Sequence, residues 1–589
     1  MAFWLASKRR QQHSDWIQRF DPRFWTVNFP RPMMASVVTT SHDALRVDCE
    51  FLHNGELAGL IWESEDTLDH PLLAYATQRD YAHCVLSFRW RSSGLVALDQ
   101  PHGPTLTIEG RDASGTARSW YVRLWNYASG SPTDAVIELP FSQLQAGYGL
   151  PGEAIPPSDI DRLFISLMPT GYAEGGTTQF THATTGWAEV SEMLCYGDRS
   201  MLEIGDVLIP PHGEQIATAY DDSFNQTPAR LIRSIEGLGY RGRFVHYVGM
   251  SHYFRLAPFN GGHNIDQSGV LCEPARAWHE NFFAEAVARD LAPIVSLSFE
   301  ILAQHCPAWW RQRAWDNSSA LTGWDPPSSL LSPANGGAQV FLQSIAVQFV
   351  ALLEAAGGAP SFQIGEPWWW VIPETGQPCF YDKATKNSQG ADLVEISDMR
   401  APMSAEQIAF LDRMGALLAD ATDGLAQAIR DAAQGDAEIL LLAFTPTVYD
   451  HDMPELHRAN MPVGWAYPAF DRLQLEDYDW LTAGADSSRR AAIAAVDQKL
   501  GYPVEMQDYF AGFVLRADDA HVYWPLIDRA LDEARARGVS QRFVWALPQV
   551  ARDGYTRLPT YEEDDMNAFD DVAYPLALGR DASVSPEFS

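Results

Sequence analysis

The chain has 589 residues, 46% hydrophobic and 20% charged, with 42 Gly and 37 Pro, which suits a multidomain globular protein with ample core. Its 42 Lys+Arg stand against 76 Asp+Glu, a formal net charge of −34. A field of that sign repels phosphate, so no nucleic-acid partner and no anionic membrane surface is expected.

Six cysteines (Cys49, Cys84, Cys195, Cys272, Cys306, Cys379) lie far apart, with no CxxC and no zinc spacing. They read as small buried hydrophobes in a reducing compartment, and neither metal nor other cofactor is expected. The N-terminal MAFWLASKRR places its apolar residues before its charges, the reverse of a signal peptide. No run approaches the length that spans a bilayer, so membrane insertion is not expected. Aromatics are abundant, with 20 Trp, 21 Tyr and 28 Phe. Such a surplus fits either sugar stacking or large interfaces.

Residues 1–36 read as a docking arm: Pro22, Pro30 and Pro32 break regular structure, while Trp4, Trp16, Phe20, Phe24 and Trp25 are too apolar for a solvated tail. Residues 37–205 alternate in short runs, and eight are predicted strands: Ala44–Phe51, Glu56–Trp62, Cys84–Trp90, Thr105–Glu109, Trp120–Trp125, Ala135–Leu139, Leu163–Leu167 and Ala188–Cys195. Eight strands without helix predict an all-β sandwich, jelly-roll-like.

From 206 to 551 the pattern becomes strand, helix, strand, helix. The predicted strands start at Ile216, Arg243, Pro293, Phe362, Glu438, Leu473, Phe510 and Arg542, with helices such as 228–238, 339–356 and 405–431 between them. Eight alternations over this length predict a (β/α)8 TIM barrel. Residues 552–589 are acidic and aperiodic, and read as an extended tail.

Chemistry in a barrel collects where strands end on the C-terminal face. The fourth strand ends in Gly365-Glu366-Pro367 followed by Trp368, Trp369 and Trp370. A carboxyl against an aromatic wall has the raised pKa a general acid needs, and Trp offers a sugar platform. Glu300 ends the third strand, Asp222 follows the first, and Asp477 ends the sixth. These three are the candidate partners of Glu366, while Tyr478, Trp480 and His252 join the tryptophans as candidate sugar contacts. The plainer readings stand beside these: strand-end carboxylates also accept loop amides, tryptophans also pack loops, and His246 and His252 read as satisfied polar residues rather than metal ligands.

Gly365-Glu366-Pro367 resembles the strand-four acid/base motif of the large clan of retaining glycosidases, in which Asn stands at the place of Gly365. The clan's nucleophile is a Glu ending strand seven. The corresponding stretch Tyr509–Ala517 carries none, so the resemblance implies a role for Glu366 alone. The order of arm, carbohydrate-module-like sandwich and glycosidase-like barrel is similar to the non-contractile tail sheath proteins of siphophages and prophages, and to the barrel domains in tail proteins of gene transfer agents. Pro575–Ser589 resembles the leading segment of phage distal-tail proteins.

What this resemblance implies is a virion tail protein, assembled in the host cytoplasm. It would self-associate in a ring or helical array around a tail tube and contact tail-tube and distal-tail proteins, with possible contact to a cell-surface glycan. The barrel would be inactive or nearly so. The alternative is an active glycoside hydrolase with an appended carbohydrate-binding module, using Glu366 as general acid/base.

Overall fold

The computed structural model describes residues 4–5, 18–205 and 207–559. The expected acidic tail lies outside them from residue 560 on, as does most of the expected arm before residue 18.

The N-terminal region folds as two antiparallel sheets around a shared apolar core. One sheet orders Met34–Ser41, Ala44–His53, Gln179–Gly197, Cys84–Ser93, Asp134–Pro140 and Ala128–Ser131; the other orders Thr26–Asn28, Ala58–Glu63, Ile160–Leu167, Thr105–Arg111 and Ala117–Arg123. Alternation puts Leu86, Phe88 and Trp90 of one sheet and Leu163 and Ile165 of the other into the core between them.

An arm over 1–36 does not describe residues 18–36. Thr26–Asn28 and Met34–Ser41 are edge strands of the two sheets, and Phe20, Phe24 and Trp25 are buried in the sandwich core. Phe20 packs on Trp62 (5.1 Å between ring centroids) and Trp25 also packs on Trp62 (5.7 Å). Phe20, Phe24 and Trp25, three of the large apolar residues that suggested docking, dock on their own domain. Residues 552–559 likewise fold back: Tyr555 stacks on Trp524 at 4.0 Å, and Arg557 pairs with Asp528 and Asp532.

The second region is a closed barrel of eight parallel strands: β1 (Gln215–Ala219), β2 (Arg243–Tyr247), β3 (Ala292–Ser298), β4 (Ser361–Gly365), β5 (Glu438–Phe444), β6 (Arg472–Glu476), β7 (Gln507–Ala511) and β8 (Gln541–Val544). The strands pair in sequence order, and β8 closes on β1 through Gln215 opposite Phe543. The main outer helices are α1 (Pro228–Gly237), α2 (Glu273–Val287), α3 (Gly336–Ala355), α4 (Ala405–Ala432), α5 (Asp486–Leu500) and α6 (Ala520–Ala536). Thr227 caps α1, and Ser404 with Gln407 forms a capping box on α4. Helix α3 is long and apolar enough to cross a bilayer, yet Phe341, Leu342, Ile345 and Phe349 are buried in the barrel's core.

Inside the barrel, apolar Ala217, Val245, Ile294, Leu440, Leu442, Phe510 and Phe543 form one cluster. A chain of polar side chains crosses the same space. Ser296 donates to Gln363, Gln363 to Gln474, and Gln474 and Arg472 both donate to Asp508. Every member is buried, so each group's hydrogen-bonding capacity has to be met inside.

The two domains are fused rather than strung. Met34, Val38 and Leu52 of the sandwich belong to the barrel's apolar core. Arg230 of α1 donates to Asp69 (2.9 Å) and Asp66 (2.5 Å), and Arg233 donates to the other oxygen of Asp69 (3.0 Å). These side chains are almost wholly buried. The Arg230 guanidinium also lies over the Phe24 ring.

Arg230→Ala would leave the buried Asp66 carboxylate without its cationic partner and Asp69 with Arg233 alone. The expected loss of stability is about 3–5 kcal/mol, read as a lowered urea midpoint at pH 7.

Candidate functional site

Strand parity decides which side chains reach the barrel mouth. On β6, Arg472 and Gln474 belong to the interior polar chain, so Glu476, two residues on, faces inward as well. Asp477 then faces the helices. It accepts from Arg489 of α5 (3.1 Å) and from the Tyr509 hydroxyl (2.7 Å), both buried with it. The expected mouth carboxylate Asp477 is therefore a structural ion-pair partner, and its neighbour Glu476 takes the place. The alternation was readable in the sequence, but whether Glu476 or Asp477 faces the axis needed one strand neighbour to be known.

Glu366 follows β4 at φ +46°, a left-handed conformation that costs a non-glycine residue of order 1–3 kcal/mol. A Cβ on the preceding Gly365 would lie 3.0 Å from Ser296 Oγ and 3.3 Å from the Leu297 carbonyl oxygen. The Asn of the glycosidase motif would crowd the interior polar chain there. Glu300 follows β3 and accepts from Ser328 Oγ at 2.8 Å.

These carboxylates feel one another. Burial, and then the charge of Glu300, push the Glu366 carboxyl up to about 8. Burial pushes Glu300 up to about 7 against the opposing hydrogen bond from Ser328. Burial also raises Glu476 well above the ordinary range, with Glu366 and Asp477 adding to the effect. At neutral pH the cluster therefore retains protons, and its members titrate together rather than singly.

An arc of rings in contact links strand ends at the mouth. Tyr247 of β2 meets Trp545 after β8 (5.9 Å), Trp545 meets Phe513 after β7 (6.5 Å), and Phe513 meets Tyr478 after β6 (5.4 Å). Tyr478 stacks on Phe444 of β5 (4.6 Å), which meets Trp368 after β4 (6.0 Å). The arc thus takes one ring from each of six strand ends. Phe513 follows β7, the strand whose end carries the nucleophile in retaining glycosidases.

Of the remaining predicted residues, Trp370 and Trp480 are partly exposed. Trp369 is buried: its indole N–H donates to the Met414 carbonyl of α4, and its backbone N–H donates to Asn460. It packs the barrel's outer layer instead of offering a sugar platform. His252 is held between Asp221 (2.9 Å) and Arg31 of the sandwich and stacks on Phe224 at 3.8 Å, so it serves the domain joint. Asp221 accepts the Met250 and His252 amides, while Asp222 stands exposed beside it. His246 is a satisfied core residue, bonded to Thr218 and His279.

The fold defines a β-sandwich protein with a TIM barrel whose mouth gathers buried carboxyls. The profile of the non-contractile tail sheath N-terminal domain matches residues 17–205, and that of the non-contractile tail sheath protein TIM barrel matches residues 210–555. The chain belongs to the non-contractile tail sheath protein family and is a structural component of a phage tail. Among solved structures it is similar to the PgaB (BpsB) glycoside hydrolase domain from Bordetella bronchiseptica, at 13% identity over 62% of this chain and 99% of that one (TM-score 0.40). It is also similar to the catalytic domain of a β-amylase from Paenibacillus polymyxa, at 10% identity over 61% and 98% (TM-score 0.38). A third is the CBM22-1–GH10 portion of xylanase 10B from Clostridium thermocellum, at 9% identity over 90% of each chain (TM-score 0.39).

The raised carboxyls set a pH dependence. A carboxyl whose folded pKa lies above its unfolded value, near 4.3, stabilises the fold below that value, and the contribution is lost as pH rises through the folded pKa. Thermal melts from pH 5 to 9 should fall more steeply for the wild type than for Glu366→Gln, with the difference developing up to about pH 8.

Proposed function

We propose that this chain is a repeated subunit ringing a tail tube, assembled in the host cytoplasm, with the barrel kept as scaffold. In this reading copies of the chain meet one another and the tail-tube and distal-tail proteins. The glycosidase-like mouth retains at most a glycan contact through Trp368, Trp370, Tyr478 and Trp480. The observation that carries the scaffold reading is the end of β7: Phe513 follows the strand, and Tyr509–Ala517 carries no Glu where a retaining glycosidase presents its nucleophile.

The test is peptide counting on purified particles against the tail-tube protein. A copy number comparable to the tube protein is expected. A handful of copies would instead place the chain at the tail tip and overturn the sheath arrangement.

A second reading is favoured by one feature, the carboxyl of Glu366 held protonated near neutral pH at a mouth that also carries the aromatic arc. An acid in that state can protonate a glycosidic oxygen, with Glu300 or Glu476 as the second carboxylate. Should particles or purified chain degrade a host-surface polysaccharide, Glu366→Gln is expected to slow turnover by about 10²–10⁴-fold. Unchanged turnover in that variant would remove Glu366 from the chemistry.

A further inference from the structure

Cys84 opens the strand Cys84–Ser93, and Cys195 lies near the end of its neighbour Gln179–Gly197. In the antiparallel register Cys84 stands opposite Gly197 and Cys195 opposite Leu86, so the two cysteines are diagonal partners on one face. Both are buried in the sandwich core, and their sulfurs are 3.3 Å apart. We propose that Cys84 and Cys195 are a modification site, closing to a disulfide when the tail passes from the reducing cytoplasm to the oxidising medium outside the cell.

The sulfurs need to approach by roughly 1.2 Å to reach bonding distance. The pair sits at the end of its ladder: the backbone on either side, at His83 and Gly197, takes left-handed φ values of +62° and +89°. Closure therefore asks little of the sheet's interior. Cys84 is the easier of the two to ionise, because the Cys195 S–H donates to it and the Arg19 guanidinium adds a favourable charge. Arg19 is itself held by the Asp80 carbonyl (2.9 Å) and by the Tyr81 ring, 3.6 Å beneath its charge. A thiolate beside a second thiol is the reactive arrangement for oxidation.

The oxidant is dioxygen, small and apolar enough to enter a dry core. The two S–H bonds break and one S–S bond forms. Two electrons and two protons pass to dioxygen, which leaves as hydrogen peroxide. The new bond would join positions 111 residues apart along the chain. Constraint of so long a loop stabilises the folded chain, raising its melting temperature by a few degrees.

The test uses the full-length chain purified under reductant and exchanged into air-saturated buffer. Unfolding in guanidinium with N-ethylmaleimide then counts thiols by intact mass. The reduced chain has six free cysteines; after air exposure four labels are expected, with peptide mapping placing the missing two at Cys84 and Cys195. Cys84→Ala should take five labels in both states and lose the gain in melting temperature. If that variant fails to fold, Cys195→Val provides the same comparison. Six labels after air exposure and again after refolding in a glutathione redox buffer would overturn the proposal, as would a bond formed through any other cysteine.

Discussion

A polar group inside a closed barrel has no water to turn to, and the chain Ser296–Gln363–Gln474–Asp508–Arg472 satisfies that demand across β3, β4, β6 and β7. Its geometry admits one register. A shift of one residue on any of these strands would turn an amide or a carboxylate out among the helices and pull an apolar residue in. With the register fixed, the strand ends above are fixed too. Glu300 and Glu476 follow by alternation from Ser296 and Gln474, which are hydrogen-bonded across the axis, whereas Glu366 is out of step with Gln363 and stands at a left-handed φ. The mouth is a consequence of the layer beneath it.

The carboxyls keep their protons because all three are buried, and the charge of a neighbouring acid adds to the shift at Glu366 and Glu476. A glycosidase uses such a shift in one acid and leaves a second ionised. Here the shift extends to several, and a phenyl ring follows strand seven.

The barrel was legible because eight apolar runs alternate with helical periodicity. Glu366 and Glu300 were legible as strand ends. What escaped was orientation. Asp477 and Glu476 are adjacent acids, and nothing in their own segment says which faces the axis. Trp369 sits between two tryptophans nearer the mouth, and only the contacts with Met414 and Asn460 assign it to the outer layer. Phe20 and Trp25 escaped for a different reason: prolines nearby broke the strand pattern, so residues that complete the sandwich core looked like an appendage.

The joint between sandwich and barrel has a mechanical meaning. The boundary near residue 206 divides two sequence families, but Met34, Val38 and Leu52 cross it into the barrel core, and Arg230 and Arg233 cross it in the other direction. A bending or stretching load applied to one domain is passed to the other through buried contacts, with no linker to take up the strain. Each subunit would therefore behave as one rigid tile, and the flexibility of a sheath built from such tiles would reside in the seams between them.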